Sequence, residues 1–211
     1  MGESIHKLRG QTFILSPEKC IYWKEQRLLL LSDLHLGKAG HFRKFGVPVP
    51  SHVHLGDLKR LSTLINTYLP EQIIFLGDLF HSDYNIDWEY FCDWILDYDS
   101  LSFTLVKGNH DILYRLDYQE AGLNVIEELI IGDFSLTHEK KSNQLYNISG
   151  HIHPSVRLKG AARQGMTLPC FYFADDHGYL PAFGAFTGYA NITPKERDKI
   201  YVIADKSVHK L

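Results

Sequence analysis

Three short apolar runs, each closing on a cluster of polar residues, constrain this chain most. Residues 27–31 lead into Ser32-Asp33-Leu34-His35-Leu36-Gly37, residues 73–76 into Gly77-Asp78, and residues 103–106 into Gly108-Asn109-His110-Asp111. Runs of this length and apolarity read as strands covered on both faces. Between the first two, Leu55, Leu58, Leu61, Leu64 and Ile65 recur at helical spacing until Pro70, and Ile86 to Leu96 reads as a helix rich in aromatics. Strand and helix alternate, which predicts parallel pairing with helical crossovers. In open α/β sheets ligands bind beyond the carboxyl ends of the strands, the edge on which all three clusters fall.

The rhythm changes after about residue 123. Residues 125–128, 129–131, 134–137, 146–149, 156–159, 171–174 and 200–204 are strand-like with few helical stretches between them. At the N-terminus, residues 12–15 and 20–23 are also strand-like, with Ser16-Pro17-Glu18-Lys19 as a turn between them. A mixed or antiparallel second half is expected. Two sheets packed face to face with helices outside would place residues 1–211 in one domain, a length that suits a single core. No run of eighteen apolar residues suggests a membrane span, and the first residues lack the apolar stretch of a secretory leader, so a cytoplasmic protein is expected. Cys20, Cys92 and Cys170 form no CxxC pair and read as buried free thiols.

Composition adds one constraint in each direction. A net charge of −3 gives no electrostatic support for binding duplex DNA by charge alone. Twelve histidines are unusual for 211 residues, and histidine is the commonest metal ligand. They are organised. Besides the three clusters above, Thr137-His138 and Gly150-His151-Ile152-His153 each follow a strand-like run. In Asp33-x-His35 and His151-x-His153 the spacing predicts two side chains on one side of an extended chain. Asp, Asn and His together supply mixed oxygen and nitrogen donors, which suit manganese, iron or zinc, and no thiolate is among them. With His110 set apart, Asp33, His35, Asp78, Asn109, His138, His151 and His153 make seven candidate ligands. That is more than one ion needs if water and substrate also bind, and enough for two ions sharing a carboxylate.

These residues resemble the calcineurin-like metallophosphoesterase superfamily, whose pattern is DxH, GDxxD, GNH(D/E), a lone His and GHxH. One position departs from it: the last Asp of GDxxD is His81, with Asp83 close by. Residues 32–50, SDLHLGKAGHFRKFGVPVP, and 180–188, LPAFGAFTG, are similar to the DNA-ligase-associated phosphoesterases. The resemblance implies an α/β four-layer α-β-β-α sandwich of two packed mixed sheets flanked by helices. It implies one ion on Asp33, His35 and His153, another on Asn109, His138 and His151, and Asp78 bridging. His110 would stabilise the transition state or protonate the leaving oxygen, with Asp111 orienting it. Manganese is the first expectation, with iron, zinc and magnesium as alternatives.

The activity implied is hydrolysis of phosphodiesters. It would be a DNA endonuclease acting in repair beside a ligase and a helicase. The alternative is a small-molecule phosphodiesterase or phosphatase acting on nucleotides, which the charge and compact length favour. A non-catalytic phosphate-binding scaffold is the reading from another class, but it predicts missing ligands, and none is missing. Lys38, His41, Arg43 and Lys44 follow the first cluster and are candidates for holding substrate phosphates. His177 reads as a turn residue, and Phe183, Phe186 and Tyr189 as packing residues. Pairing between copies through strand-rich surfaces is also open.

Overall fold

A computed structural model describes residues 2–38, 53–142, 144–159, 165–185 and 187–211. The first sheet runs in sequence order through β1 (Ser4–Leu8), β2 (Gln11–Leu15), β3 (Ile21–Trp23), β4 (Leu28–Leu31), β5 (Gln72–Leu76), β6 (Ser102–Val106) and β7 (Leu123–Ile126). Pairing is antiparallel from β1 to β4 and parallel from β4 to β7. Helices α1 (Val53–Tyr68) and α2 (Ile86–Leu96) carry the crossovers, and the short α3 (Arg115–Glu120) precedes β7. Asn85 caps α2: its side-chain oxygen accepts the Asp87 N–H at 2.8 Å.

The second sheet contains β8 (Leu129–Ile131), β9 (Phe134–Thr137), β10 (Tyr146–Ser149), β11 (Pro154–Lys159), β12 (Gly165–Phe173), β13 (His177–Tyr179), β14 (Ala190–Asn191), β15 (Lys199–Ala204) and β16 (Ser207–Lys210). Its path is β14-β11-β12-β13-β10-β9-β8, with β15 joined to β12 and β16 to β15. Both sheets are therefore mixed, as the change of rhythm predicts. β9 and β10 run parallel, with Thr137 opposite Ser149.

Apolar alternation explains the layering. Leu28 and Leu30 of β4 join Ile74, Leu76, Val106, Phe134, Leu136, Tyr146 and Ile148 in the core between the sheets. Leu29 and Leu31 face the other way, onto Leu58, Leu61, Trp88 and Phe91 of the helices. Both faces of β4 are thus buried, which is why its sequence is four consecutive leucines. All three described helices cover the first sheet. The outer face of the second carries a smaller cluster of Val156, Cys170, Tyr172, Ile200 and Val202, drawn from strands alone. No described segment after β7 is helical, so among the described residues no helix reaches that face.

Sequence reasoning missed β1 because its inward position is a histidine. His6 is buried, stacks on Phe173 at 4.0 Å between centroids, and its Nδ1 lies 3.0 Å from the Tyr201 hydroxyl. Burial, followed by the charges of Lys210 and Lys199, brings its pKa down from 6.5 to about 4. The unfolded chain therefore binds the proton more readily between those values, and stability falls as pH drops through that window. A loss of about 2 kcal/mol is expected between pH 7.5 and 5 from this group. Urea midpoints at the two pH values measure it, and His6→Phe should flatten the dependence. An unchanged slope in the variant would remove His6 as its cause.

Candidate metal centre at the shared strand edge

The carboxyl ends of β4, β5, β6, β9 and β10 meet at one edge. Backbone hydrogen bonds lock the loops that leave them: Asp33 N–H donates to Gly77 O at 3.1 Å, His35 N–H to Asp78 O at 2.8 Å, and Gly150 N–H to His138 O at 3.1 Å. The two sheets are tied across the site by the His151 N–H, which donates to Asp33 Oδ2 at 3.0 Å.

The local backbone is not extended, which corrects the spacing argument for Asp33-x-His35 and His151-x-His153. Asp33, His35, Asp78, His151 and His153 all have positive φ, at 55°, 49°, 52°, 68° and 50°. Each pair converges because the chain curls in the left-handed region on both sides of one intervening residue. Such conformations cost about 1 kcal/mol or more apiece for non-glycine residues and gather where surrounding structure holds functional groups in place. Glycines make the close approach possible. A Cβ on Gly77 would overlap the His138 ring, and one on Gly150 would overlap Ser32 and the Asp33 carboxylate.

The seven candidate ligands come together as two groups around Asp78. On one side, His153 Nε2 lies 3.3 Å from Asp33 Oδ1 and 3.4 Å from His35 Nε2, and His35 Nε2 is 3.8 Å from Asp78 Oδ2. On the other, His138 Nε2 lies 3.4 Å from Asp78 Oδ1, 3.0 Å from Asn109 Oδ1 and 3.1 Å from His151 Nδ1. Donor atoms about 3.0–3.5 Å apart are what bonds of about 2.1 Å to a common ion require. Asp33, His35 and His153, and Asp33, Asp78 and His138, each offer donor atoms within 4.8 Å of one another.

Tautomers sharpen this. His138 Nδ1 sits 2.9 Å from the Leu76 carbonyl and His153 Nδ1 3.1 Å from the Gly188 carbonyl. A carbonyl can only accept, so both rings donate from Nδ1 and, when neutral, turn a lone pair at Nε2 into the site. Those lone pairs face Asp78 and Asn109 oxygens on one side and an Asp33 oxygen on the other. Acceptors converging on acceptors call for a cation between them. His35 suits such a place: burial first, then Lys38 and the neighbouring histidines, lowers its pKa to about 2, leaving the imidazole neutral. Burial also raises Asp78 against the pull of His138.

His110 lies at this edge too, its ring centroid 5.8 Å from that of His35. Its backbone N–H donates to Asp78 Oδ1 at 2.9 Å, and its ring stacks on His81 at 3.8 Å between centroids. His81, the departure from the family pattern, is a site residue the sequence left unplaced. Its Nδ1 is 3.1 Å from His35 Nδ1, behind the His35 nitrogen that faces the centre. Asp83 is exposed instead. Asp111 does not orient the His110 ring by any hydrogen bond among the described residues. Its carboxylate accepts the N–H groups of Asp78, Leu79, Phe80 and Gly108 at 2.7–3.1 Å, clamping the loops after β5 and β6 together. Burial pushes it up to about 6 against the pull of the Gly108, Phe80 and Asp78 N–H groups.

Lys38 is half-buried beside the site, where Asp78 and Asp33 oppose the lowering of its pKa by burial. His41, Arg43 and Lys44 lie outside the described residues, as does Phe186. The late loop was visible in sequence only as a similarity. Phe183 N–H donates to Ser32 O at 2.8 Å and Gly184 N–H to Asp33 O at 3.1 Å, so this loop buttresses the first cluster. Phe183 is buried under the Arg60 guanidinium, 3.9 Å from its ring centroid, whereas Tyr189 is exposed. His177 begins β13, contacts Asp176 at 2.6 Å and stays away from the centre.

The calcineurin-like phosphoesterase profile matches residues 26–159, the span that holds every cluster described above. The chain belongs to the calcineurin-like phosphoesterase family, and so to the metal-dependent phosphoesterases. The crystal structure of the Pseudomonas putida nuclease MPE superimposes with a TM-score of 0.82 at 28% identity, covering 99% of this chain and 100% of that one. Yfce, a phosphoesterase from E. coli, aligns over 87% of this chain and 97% of its own, at 13% identity and a TM-score of 0.46. No curated protein sequence matches the chain.

Proposed function

We propose that the protein is a manganese-dependent phosphodiesterase that cuts nucleic-acid strands, a DNA endonuclease. The observation that carries this reading is the pair of acceptor groups facing each other across Asp78. Asp33, His35 and His153 would hold one ion and Asn109, His138 and His151 the other, with Asp78 shared. Two divalent ions so held supply a nucleophile at neutral pH and neutralise charge on the phosphoryl oxygens. The mixed nitrogen and oxygen donors favour manganese over calcium or magnesium.

The chain's own residues do the rest. His110, held by its main-chain bond to Asp78 and its stack on His81, would hydrogen-bond a phosphoryl oxygen and deliver a proton to the leaving oxygen. His81 steadies both the His110 ring and the outer nitrogen of His35. Lys38 adds positive charge beside the substrate phosphate. The similarity to the P. putida nuclease over the whole chain supports a nucleic-acid substrate. The likeness of residues 32–50 and 180–188 to ligase-associated phosphoesterases supports repair alongside a ligase and a helicase. Cys20, Cys92 and Cys170 are free, and burial pushes Cys20 and Cys170 up to about 12, which suits unreactive thiols in a reducing cytoplasm.

The test is a substrate panel with manganese, magnesium or chelator: a small phosphodiester, a phosphomonoester and single- and double-stranded DNA. Diester and DNA cleavage with manganese, abolished by chelator, is expected. Monoester hydrolysis without diester hydrolysis would remove the nuclease reading. In His110→Ala, DNA cleavage should fall about 10²–10⁴-fold with bound metal retained. Loss of metal in that variant would instead make His110 part of the metal shell.

A further inference from the structure

Beside Asn109 and His138 the metal edge opens into a cavity of about 240 Å³, bordered by Lys107, Lys140, Lys141 and Thr137. We propose that this cavity holds the phosphate next to the scissile one on a polynucleotide strand, an inference that rests on the nucleic-acid reading above. Its lining decides what enters. Apart from the His138 imidazole, its lining has no aromatic ring to stack a base and no large apolar side chain among the described residues. Glu127 and Glu139 also border it, so it attracts an anion only moderately, as suits one subsite on a strand that must leave after cutting.

The lysine loop is a built feature. Asn147, fully buried, donates from Nδ2 to Ser135 O at 3.1 Å and to Thr137 Oγ1 at 2.8 Å, while its Oδ1 accepts the Lys141 N–H at 3.3 Å. Thr137 Oγ1 donates in turn to Glu139 O at 2.7 Å. A buried amide in the second sheet thereby fixes the chain from His138 to Lys141. The backbone that carries Lys140 and Lys141 is held next to His138, a candidate metal ligand.

Lys107 faces them from the end of β6, its backbone N–H bonded to Ile126 O at 2.9 Å. Its exposed ammonium has no carboxylate partner among the described residues. Lys140 meets Asp176 at 3.2 Å and Lys141 meets Glu128 at 3.1 Å, and exposed pairs of this kind exchange partners at little cost.

The experiment compares wild type, Lys107→Ala, Lys107→Ala/Lys140→Ala and Lys107→Arg on a single-stranded oligonucleotide and on bis-p-nitrophenyl phosphate, which has one phosphate only. In the double variant, KM for the oligonucleotide should rise about tenfold relative to KM for the small diester. The slope of log KM against log salt should fall by about 0.7, the value for one strand phosphate no longer neutralised. Lys107→Arg should keep most of the wild-type preference, and Lys24→Ala, at the opposite end of β4, all of it. If wild type cuts the oligonucleotide and the double variant follows it within twofold, the subsite is wrong and the nuclease reading stands. If wild type hydrolyses the small diester but leaves the oligonucleotide whole, the nuclease reading fails and the subsite falls with it.

Discussion

Asp78→Asn should reduce phosphodiesterase turnover by at least about a thousandfold while leaving the metal-free fold as stable as wild type or more so. The carboxylate is 2% exposed and lies between the two ligand groups. Its Oδ1 is 3.4 Å from His138 and its Oδ2 3.8 Å from His35. Without ions, burial works against its charge, so neutralising it relieves an unfavourable ionisation. Asparagine keeps the shape, can still accept the His110 N–H, and tolerates the φ of 52°. It removes the negative charge that the two proposed ions would share. Melting curves in chelator and turnover with manganese separate the effects. Activity within tenfold of wild type would mean Asp78 is no bridge.

Gly77→Ala should damage the site and the fold together. Gly77 and Gly10 have nearly the same backbone, φ 77° and 76°, but differ in surroundings. A Cβ at Gly10 meets nothing within 4 Å, whereas at Gly77 it would overlap the His138 ring. Gly10→Ala therefore reports the cost of the left-handed conformation alone, about 1 kcal/mol. Gly77→Ala adds the displacement of a buried ring anchored to Leu76 O, and about 2–4 kcal/mol in all is expected. For a chain of this length that is a fall in Tm of roughly 5–15 °C, with turnover abolished as His138 moves off the Asp78 axis. Equal destabilisation by the two substitutions would show that the His138 ring yields freely.

Much of this was legible in the sequence because the strands that carry the site are buried on both faces. Consecutive leucines in β4, and the runs of β5 and β6, admit few alternatives, and each ends where its polar cluster begins. The same logic failed where burial is not hydrophobic. β1 turns His6 inward, and α3 has six residues, too few to show a period. Local conformation was the other blind spot. Residue spacing suggested extended pairs for Asp33-x-His35 and His151-x-His153. Positive φ at all four is enforced by hydrogen bonds from distant segments, which spacing cannot encode. His81 looked like a departure that weakens the family pattern, yet it packs against His110 and His35. Asp111 looked like a partner of the His110 ring, yet four main-chain donors claim its carboxylate. Both roles depend on which loops meet, and that is decided by the sheets.

We propose that seven side chains hold two ions about one shared carboxylate. Elemental analysis of protein reconstituted with manganese and freed of excess metal tests it directly, with Asp78→Asn alongside. Two equivalents per chain in the wild type, falling by at least one in the variant, is the result expected. A single equivalent in both proteins, with phosphodiesterase activity intact, would contradict the dinuclear centre.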